Sequence, residues 1–536
     1  MGPFAESAYL FKHALLRDAA YQLHLPTERA SLHALSLLAL EAHPEAAHFF
    51  AELADHALAA QAAPQTVLPS SELQTRELAF LQRAAAAALA AFRNEDAALA
   101  LARIREHPLA DEPTRVEAGC EEASVHLNCG RVRQSAELLR GMMAAGIRDR
   151  SLQTRVLLRL VGSSQHQGEL EGALSLLEQA RRAAEGGSED LLVQVKVAKA
   201  GVLGRGGNLP EAERLCREAL EATRRAGRWP AFERCALDLA RLLRERNSFD
   251  EAWQLLDEVE QVPDAALRDR ERPGWANARG NICWRQGKTD EAELWYRKAL
   301  ELHRARGNRL DEGVVVLNLG NIWNDRHQPE RALKHYLMGA EILRETGYLP
   351  GYALAMGLCG NACLALHRDM EGLAYFRTSA ELYSRTGALS DQSMQEANVG
   401  VALSATGDEV GAEAQFVKAE QLAARAGASR WIASHRSRRA GSALAQGRFE
   451  EAAGLFDSAI AATRSLGEKP NMRILSSLTQ AASAHLHLGH HDRARDLCRE
   501  ATEVAVALGA CDGHPNRSMA DRYKELQELK ARLGVT

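Results

Sequence analysis

Aromatic residues are scarce in this 536-residue chain, at 5%, and there are only 15 prolines. No charge sign dominates: 66 Lys and Arg stand against 71 Asp and Glu, for a formal charge of −5. A basic nucleic-acid platform is therefore not expected, because phosphate binding needs a cationic stripe, with an aromatic ladder for single strands. Long apolar runs are missing too. The longest uncharged one, Ala84–Phe92, is far short of the roughly 20 residues of a membrane helix. The first residues, MGPFAES, show no basic stretch leading into an apolar core, so no secretory signal is expected. Nine cysteines occur without a Cys-x-x-Cys pair, the usage of a reduced, cytoplasmic protein. With 46% hydrophobic residues the chain is too apolar for global disorder. Its richness in Ala, Leu, Glu and Arg points to helix.

What the chain does have is a repeat. A turn residue followed by x-x-x-x-Ala, with a second Ala seven residues on, recurs as Gly207…Ala212…Ala219, Gly287…Ala292…Ala299, Gly407…Ala412…Ala419, Gly447…Ala452…Ala459 and Gly489…Ala494…Ala501. Weaker copies centre on Ala136, Ala173, Ala252, Ala332 and Leu373, so the markers advance by 37 to 42 residues each time. About twelve residues before the markers runs a second column: Gly280-Asn281, Gly320-Asn321, Gly360-Asn361, Gly400-Val401 and Gly441-Ser442. Apolar residues around it, such as Val314, Leu317, Leu319 and Ile322, keep helical spacing. Each repeat thus reads as helix A, a short turn and helix B. Small residues on both helices allow close approach, and Tyr296, Tyr336, Phe376, Phe416 and Phe456 fill the space one turn further along helix B. A single pair cannot bury its apolar stripe, so the pairs must stack. The expected fold is all-α, a right-handed superhelical solenoid.

The Leu319-Gly320-Asn321 and Gly287-Lys-Thr-Asp-Glu-Ala292 patterns resemble the tetratricopeptide repeat family, in a variant near 40 residues long. The resemblance covers residues 75–510, about ten to eleven helix pairs, and implies a protein-interaction scaffold or sensor array. Residues 1–60 are out of register. There Tyr9-Leu-Phe-Lys-His-Ala-Leu-Leu-Arg-Asp-Ala-Ala-Tyr21 and Leu25-Pro26-Thr-Glu-Arg29 resemble the segment before such arrays in multidomain signal-transduction ATPases and associated bacterial kinases and cyclases. That resemblance implies an NTPase or kinase module as partner. The sequence leaves open whether the chain is the sensor part of such a protein or a stand-alone descendant. It carries no GxxxxGK[ST] loop: before Gly287-Lys288-Thr289 the required glycine is replaced by Ile282. Residues 511–536 break at Cys511-Asp-Gly-His-Pro515 and then read as a capping helix.

No catalytic, cofactor or metal constellation is expected. HExxH, GxSxG and EF-hand patterns are absent from the sequence. Cys359 and Cys363 share a helix face without further ligands and read as buried thiols. His485 and His487 point to different faces, with His490 and His491 beyond them. Gly201-Val-Leu-Gly204-Arg-Gly206-Gly207 reads as a loose turn between helices A and B. The interaction surface is expected on the A helices, which should line the concave side. In peptide-binding members of the family the residue after the helix-A Gly meets the ligand backbone. The resemblance transfers that role to Asn281, Asn321 and Asn361, and to Ser442 further on. Asn277, Asn318, Asn324, Asn398 and Arg438 lie one turn away. An Asn amide offers two donors and an acceptor, so its recurrence suits an extended protein or peptide segment. A small-molecule sensor is the alternative, and would want polar groups and aromatics converging in one place.

Overall fold

A computed structural model describes residues 21–64, 67–166, 169–187, 189–206, 208–261, 273–466, 470–511 and 517–534. The Tyr9–Ala20 part of the N-terminal motif, Gly207, and the break at 512–515 lie outside them. The chain forms two compact units. The first comprises Met1–His126 with Glu137–Leu152, the second Leu127–Ala136 with Gln153–Thr536. Among the described residues all regular structure is helical. No helix among them is long and apolar enough to cross a membrane.

The described residues of the first unit include the helices Pro26–Glu41, Phe50–Ala60, Ser70–Ala90 and Asn94–Glu106. The alanine-rich stretch packs through Phe80, Leu81, Ala84, Ala85 and Ala88. One carboxylate, Glu77, is buried among them. It accepts from Gln61 at 2.8 Å and pairs with Arg103 at 3.2 Å, as a buried charge must.

The second unit explains the period of the repeat. Its clearest helices run Arg309–Asp325, Pro329–Glu345 and Leu349–Ala365, each 17 residues long. Three residues separate each from the next, so two helices and two turns make 40. The helices end on a left-handed residue. Gly287 has φ 78°, and where glycine is missing His327 and His367 adopt 58° and 57°. This lets the following amide reach back to an orphan carbonyl, as Gln328 N does to Trp323 O at 2.9 Å.

Inside each pair the small-residue columns do what their spacing predicts. Ala212, Ala252, Ala292, Ala332, Ala412, Ala452 and Ala494 are fully buried. A Cβ on Gly280 would sit 2.6 Å from the Tyr296 ring, and one on Gly360 2.6 Å from the Phe376 ring. Each ring occupies the space the glycine leaves. The Gly441-Ser442 step requires a correction. Phe456 packs in one cluster with Ala440, and a Cβ on Gly441 would meet only the Gln480 side chain. Ala440 therefore takes the column's place, Gly441 follows it, and Ser442 falls out of register. The glycine-rich stretch also differs from expectation. Gly201 and Gly204 lie inside the helix Glu189–Arg205, not in a turn.

Helices pack on their chain neighbours, as a solenoid requires. Helix A of one repeat also packs on helix A of the next: Leu389–Ala405 on Ser429–Ala445, and that helix on Met472–His487. The B helices make no comparable contact with each other among the described residues. The stack therefore curves with its A helices inside. It curves far enough for the turn at Gly130 to meet Leu349 and Thr386.

Candidate functional site

The inner face of the second unit is assembled from one stripe per helix A. Each repeat presents the residue after the small-residue column and those three and four positions further on.

The asparagines do not form a uniform ladder. The side-chain oxygen of Asn281 accepts from the Tyr296 hydroxyl at 3.0 Å. That of Asn321 accepts from Tyr336 at 2.8 Å. Each amide thus satisfies the phenol whose ring fills the adjacent glycine gap, and its NH2 group remains for other partners. Asn361 stands opposite Phe376, which has no hydroxyl. It is exposed, and its side chain makes no hydrogen bond among the described residues. Asn324 is exposed as well. Asn318 donates to Asn277 at 2.9 Å, linking two repeats. Asn398 is buried, donates to Gln395 at 3.2 Å and accepts from Arg438 of the next repeat. Ser442, off the column, meets Ser404 at 3.2 Å and Glu409 at 3.4 Å. Trp284 donates to Asp325 of the next repeat at 2.6 Å. Trp323 packs instead against a core cluster, beneath Arg326 and Arg331.

Charge is the feature that the asparagine pattern obscured. Arg205, Arg241, Arg244 and Arg285 come from three consecutive A helices and act on one another electrostatically. Arg241 pairs with Glu245 at 3.1 Å. Arg205, Arg244 and Arg285 make no ion pair among the described residues. Desolvation holds the guanidinium groups of Arg205 and Arg244 below their ordinary range, and neighbouring arginines add to this. Asp391 is open to water, yet surrounding protein raises its carboxyl above the usual range, with Arg205 acting in the opposite direction. Asp238 and Asp325 are also raised by desolvation. Water-accessible groups that still feel desolvation are what a concave, protein-lined face produces. A signal in the sequence could have found this set. Four residues after the asparagine column stand Arg205, Glu245, Arg285 and Asp325, charged in four successive repeats.

Among the described residues no three His, Cys, Asp or Glu side chains are placed to share a metal ion. Cys359 and Cys363 are buried, and burial pushes their thiols up to about 12 and about 11. His485 is held by Asp457 at 3.1 Å and faces His490, away from His487.

The fold and its inner face define a class, the all-α helical-repeat solenoid with a polar concave surface. A family model described as tetratricopeptide repeat matches residues 278–310, one helix pair of the array. A search of curated proteins finds no match. Solved structures resembling the chain include a Rap protein complexed with competence and sporulation factor. It is 15% identical, covers 64% of this chain and 99% of its own, and has a TM-score of 0.41. The APC/C hetero-tetramer Cut9–Hcn1 is 14% identical, with 97% and 95% covered and a TM-score of 0.42. BtubC from P. vanneervenii is 20% identical, with 40% and 91% covered and a TM-score of 0.35.

Proposed function

We propose that the chain is a non-catalytic interaction scaffold whose second unit holds an extended protein or peptide segment along its A helices. One observation carries this reading. Hydrogen-bonding groups recur along the inner face at the repeat's period and are not used up within the fold: Asn361, Asn324, the amide NH2 groups of Asn281 and Asn321, and the guanidinium groups of Arg244 and Arg285. An extended segment exposes main-chain donors and acceptors at short, regular intervals, and concave solenoid faces bind such segments. The role is in signalling, in the cytoplasm, with an NTPase or kinase module as the source of the segment. The resemblance of the N-terminal motif supports that part.

A random linear-peptide display library panned against the full chain tests the reading. Selected peptides should compete for one site, and Asn361→Ala with Arg285→Gln should weaken them at least tenfold. Arg214→Gln, exposed on helix B, should leave them unchanged. Peptides that ignore the inner-face pair, or no selected peptide at all, would overturn it.

A further inference from the structure

A second site lies away from the inner stripe, where the curved stack returns on itself. The turn at Gly130 packs against Leu349 and Thr386. Beside this contact opens a cavity of about 670 Å³, lined by Gly130 to Gln134, Glu169, Ser384, Arg385, Gly387, Leu389 and Arg425. That volume is in the range of small-molecule sites.

Its charge is one-sided. Four arginines, Arg131, Arg133, Arg385 and Arg425, share the cavity with one carboxylate, Glu169. Arg133, Arg385 and Arg425 make no ion pair among the described residues, although Arg elsewhere in this chain is repeatedly matched with Glu or Asp. Arg385 and Arg425 each end a B helix, Asp369–Thr386 and Glu409–Arg425, where a cation suits the helix dipole. That local explanation fails for Arg133. It stands in the first turn of the helix Val132–Ala144, which has no acidic residue there. A cation at that end opposes the helix dipole. Like charges thus converge from two stretches far apart in the chain, onto a helix start already positive. An anion in the cavity would offset all of these terms together, and planar guanidinium groups match phosphoryl oxygens two at a time.

We propose that this cavity binds a small free molecule carrying two or more phosphoryl groups. Bound there, the anion ties the Gly130 turn to the repeats at 369–425 and so stiffens the second unit. The site is independent of the peptide groove, since it shares no residue with it.

The test is isothermal titration of the full chain with inorganic pyrophosphate, with sodium chloride holding ionic strength constant so that screening cancels. Saturable binding at one site per chain is expected, weakened at least tenfold by R385Q combined with R425Q. Arg224→Gln, on another exposed helix surface, should bind as the parent does. Hydrogen exchange should slow at 130–134 and 384–389 on binding. Helix content measured by circular dichroism confirms folding, and should the pair unfold, Arg133→Gln carries the same expectation. Absence of saturable heat, or parental affinity in a folded variant, would overturn the proposal. A phosphoserine peptide that binds here more tightly than pyrophosphate would overturn the small-anion assignment.

Discussion

Substituting Gly320 and Gly454 each by alanine tests the packing rule of this array, because the same change should have opposite signs. Both glycines lie inside helices, Arg309–Asp325 and Phe449–Ser465. In an unobstructed helix interior alanine is worth roughly 0.5–1 kcal/mol more than glycine. At Gly454 an added Cβ meets nothing within 4 Å, so that gain should appear in full. At Gly320 the Cβ would lie 2.5 Å from Tyr336 Cε1 and 2.6 Å from Cδ1. The ring cannot swing away freely, since it is 2% exposed and its hydroxyl is held by Asn321 at 2.8 Å. Overpacking of this kind costs about 1–3 kcal/mol. Set against the helix gain of roughly 0.5–1 kcal/mol, it leaves Gly320→Ala destabilised by up to about 2.5 kcal/mol. Guanidinium unfolding followed by helical circular dichroism reads both variants against the parent. Stacked repeats unfold with limited cooperativity, so hydrogen exchange in helix 309–325 should localise the Gly320 effect. If Gly320→Ala is stabilised as much as Gly454→Ala, the glycine column is not a packing requirement, and the ring does not close the helix pair.

Three further outcomes are expected. Arg279 is 6% exposed, paired with Asp257 and Glu260, and stacked on Trp275 at 3.9 Å and Trp253 at 4.7 Å. Both carboxylates keep access to water, so Arg279→Ala should cost about 2 kcal/mol, chiefly the lost stacking of a desolvated guanidinium on the indoles, and shift tryptophan emission. His435 is buried, and desolvation with nearby Arg438 lowers it to about 4. It therefore favours the folded state above its ordinary value of 6.5, and that contribution is lost as pH falls from 6.5 to about 4. His435→Asn should flatten the pH dependence of the unfolding midpoint across that window, and a slope equal to the parent's would refute the assignment. Asn321→Ala should lower stability by up to about 1 kcal/mol through its lost hydrogen bond, whereas Asn361→Ala should raise it by a few tenths of a kcal/mol through helix propensity and weaken peptide binding.

That last contrast shows what the sequence revealed about the site. The period, the A and B helices, and the pairing of small with large residues were legible because each rests on local spacing. Seventeen plus three residues, taken twice, returns the chain to the same face, and glycine opposite a ring leaves a mark at a constant offset. Register was legible only while that mark persisted. At Ala440 alanine replaced the glycine, the neighbouring Gly441 imitated it, and Ser442 was misplaced by one position. The charged inner face was harder to read. Arg205 and Asp391 affect each other although nearly two hundred residues separate them, because curvature, not periodicity, brings them near. The same holds for Arg133, Arg385 and Arg425.

The asparagines carry the subtler lesson. Asn281, Asn321 and Asn361 look alike in sequence, but what stands opposite them on helix B does not. Where helix B offers a tyrosine, the amide oxygen is spent inside the repeat, and the residue contributes to stability. Where it offers a phenylalanine, both ends of the amide are left for a ligand. A column of identical side chains can therefore hold two roles, decided fifteen residues downstream by one hydroxyl group. Replacing Phe376 by tyrosine should convert Asn361 to the structural role. Stability should rise by about 1 kcal/mol from the new hydrogen bond, while peptide affinity falls. A Phe376→Tyr variant that gained stability but bound peptide unchanged would show that the free amide of Asn361 is not what the partner reads.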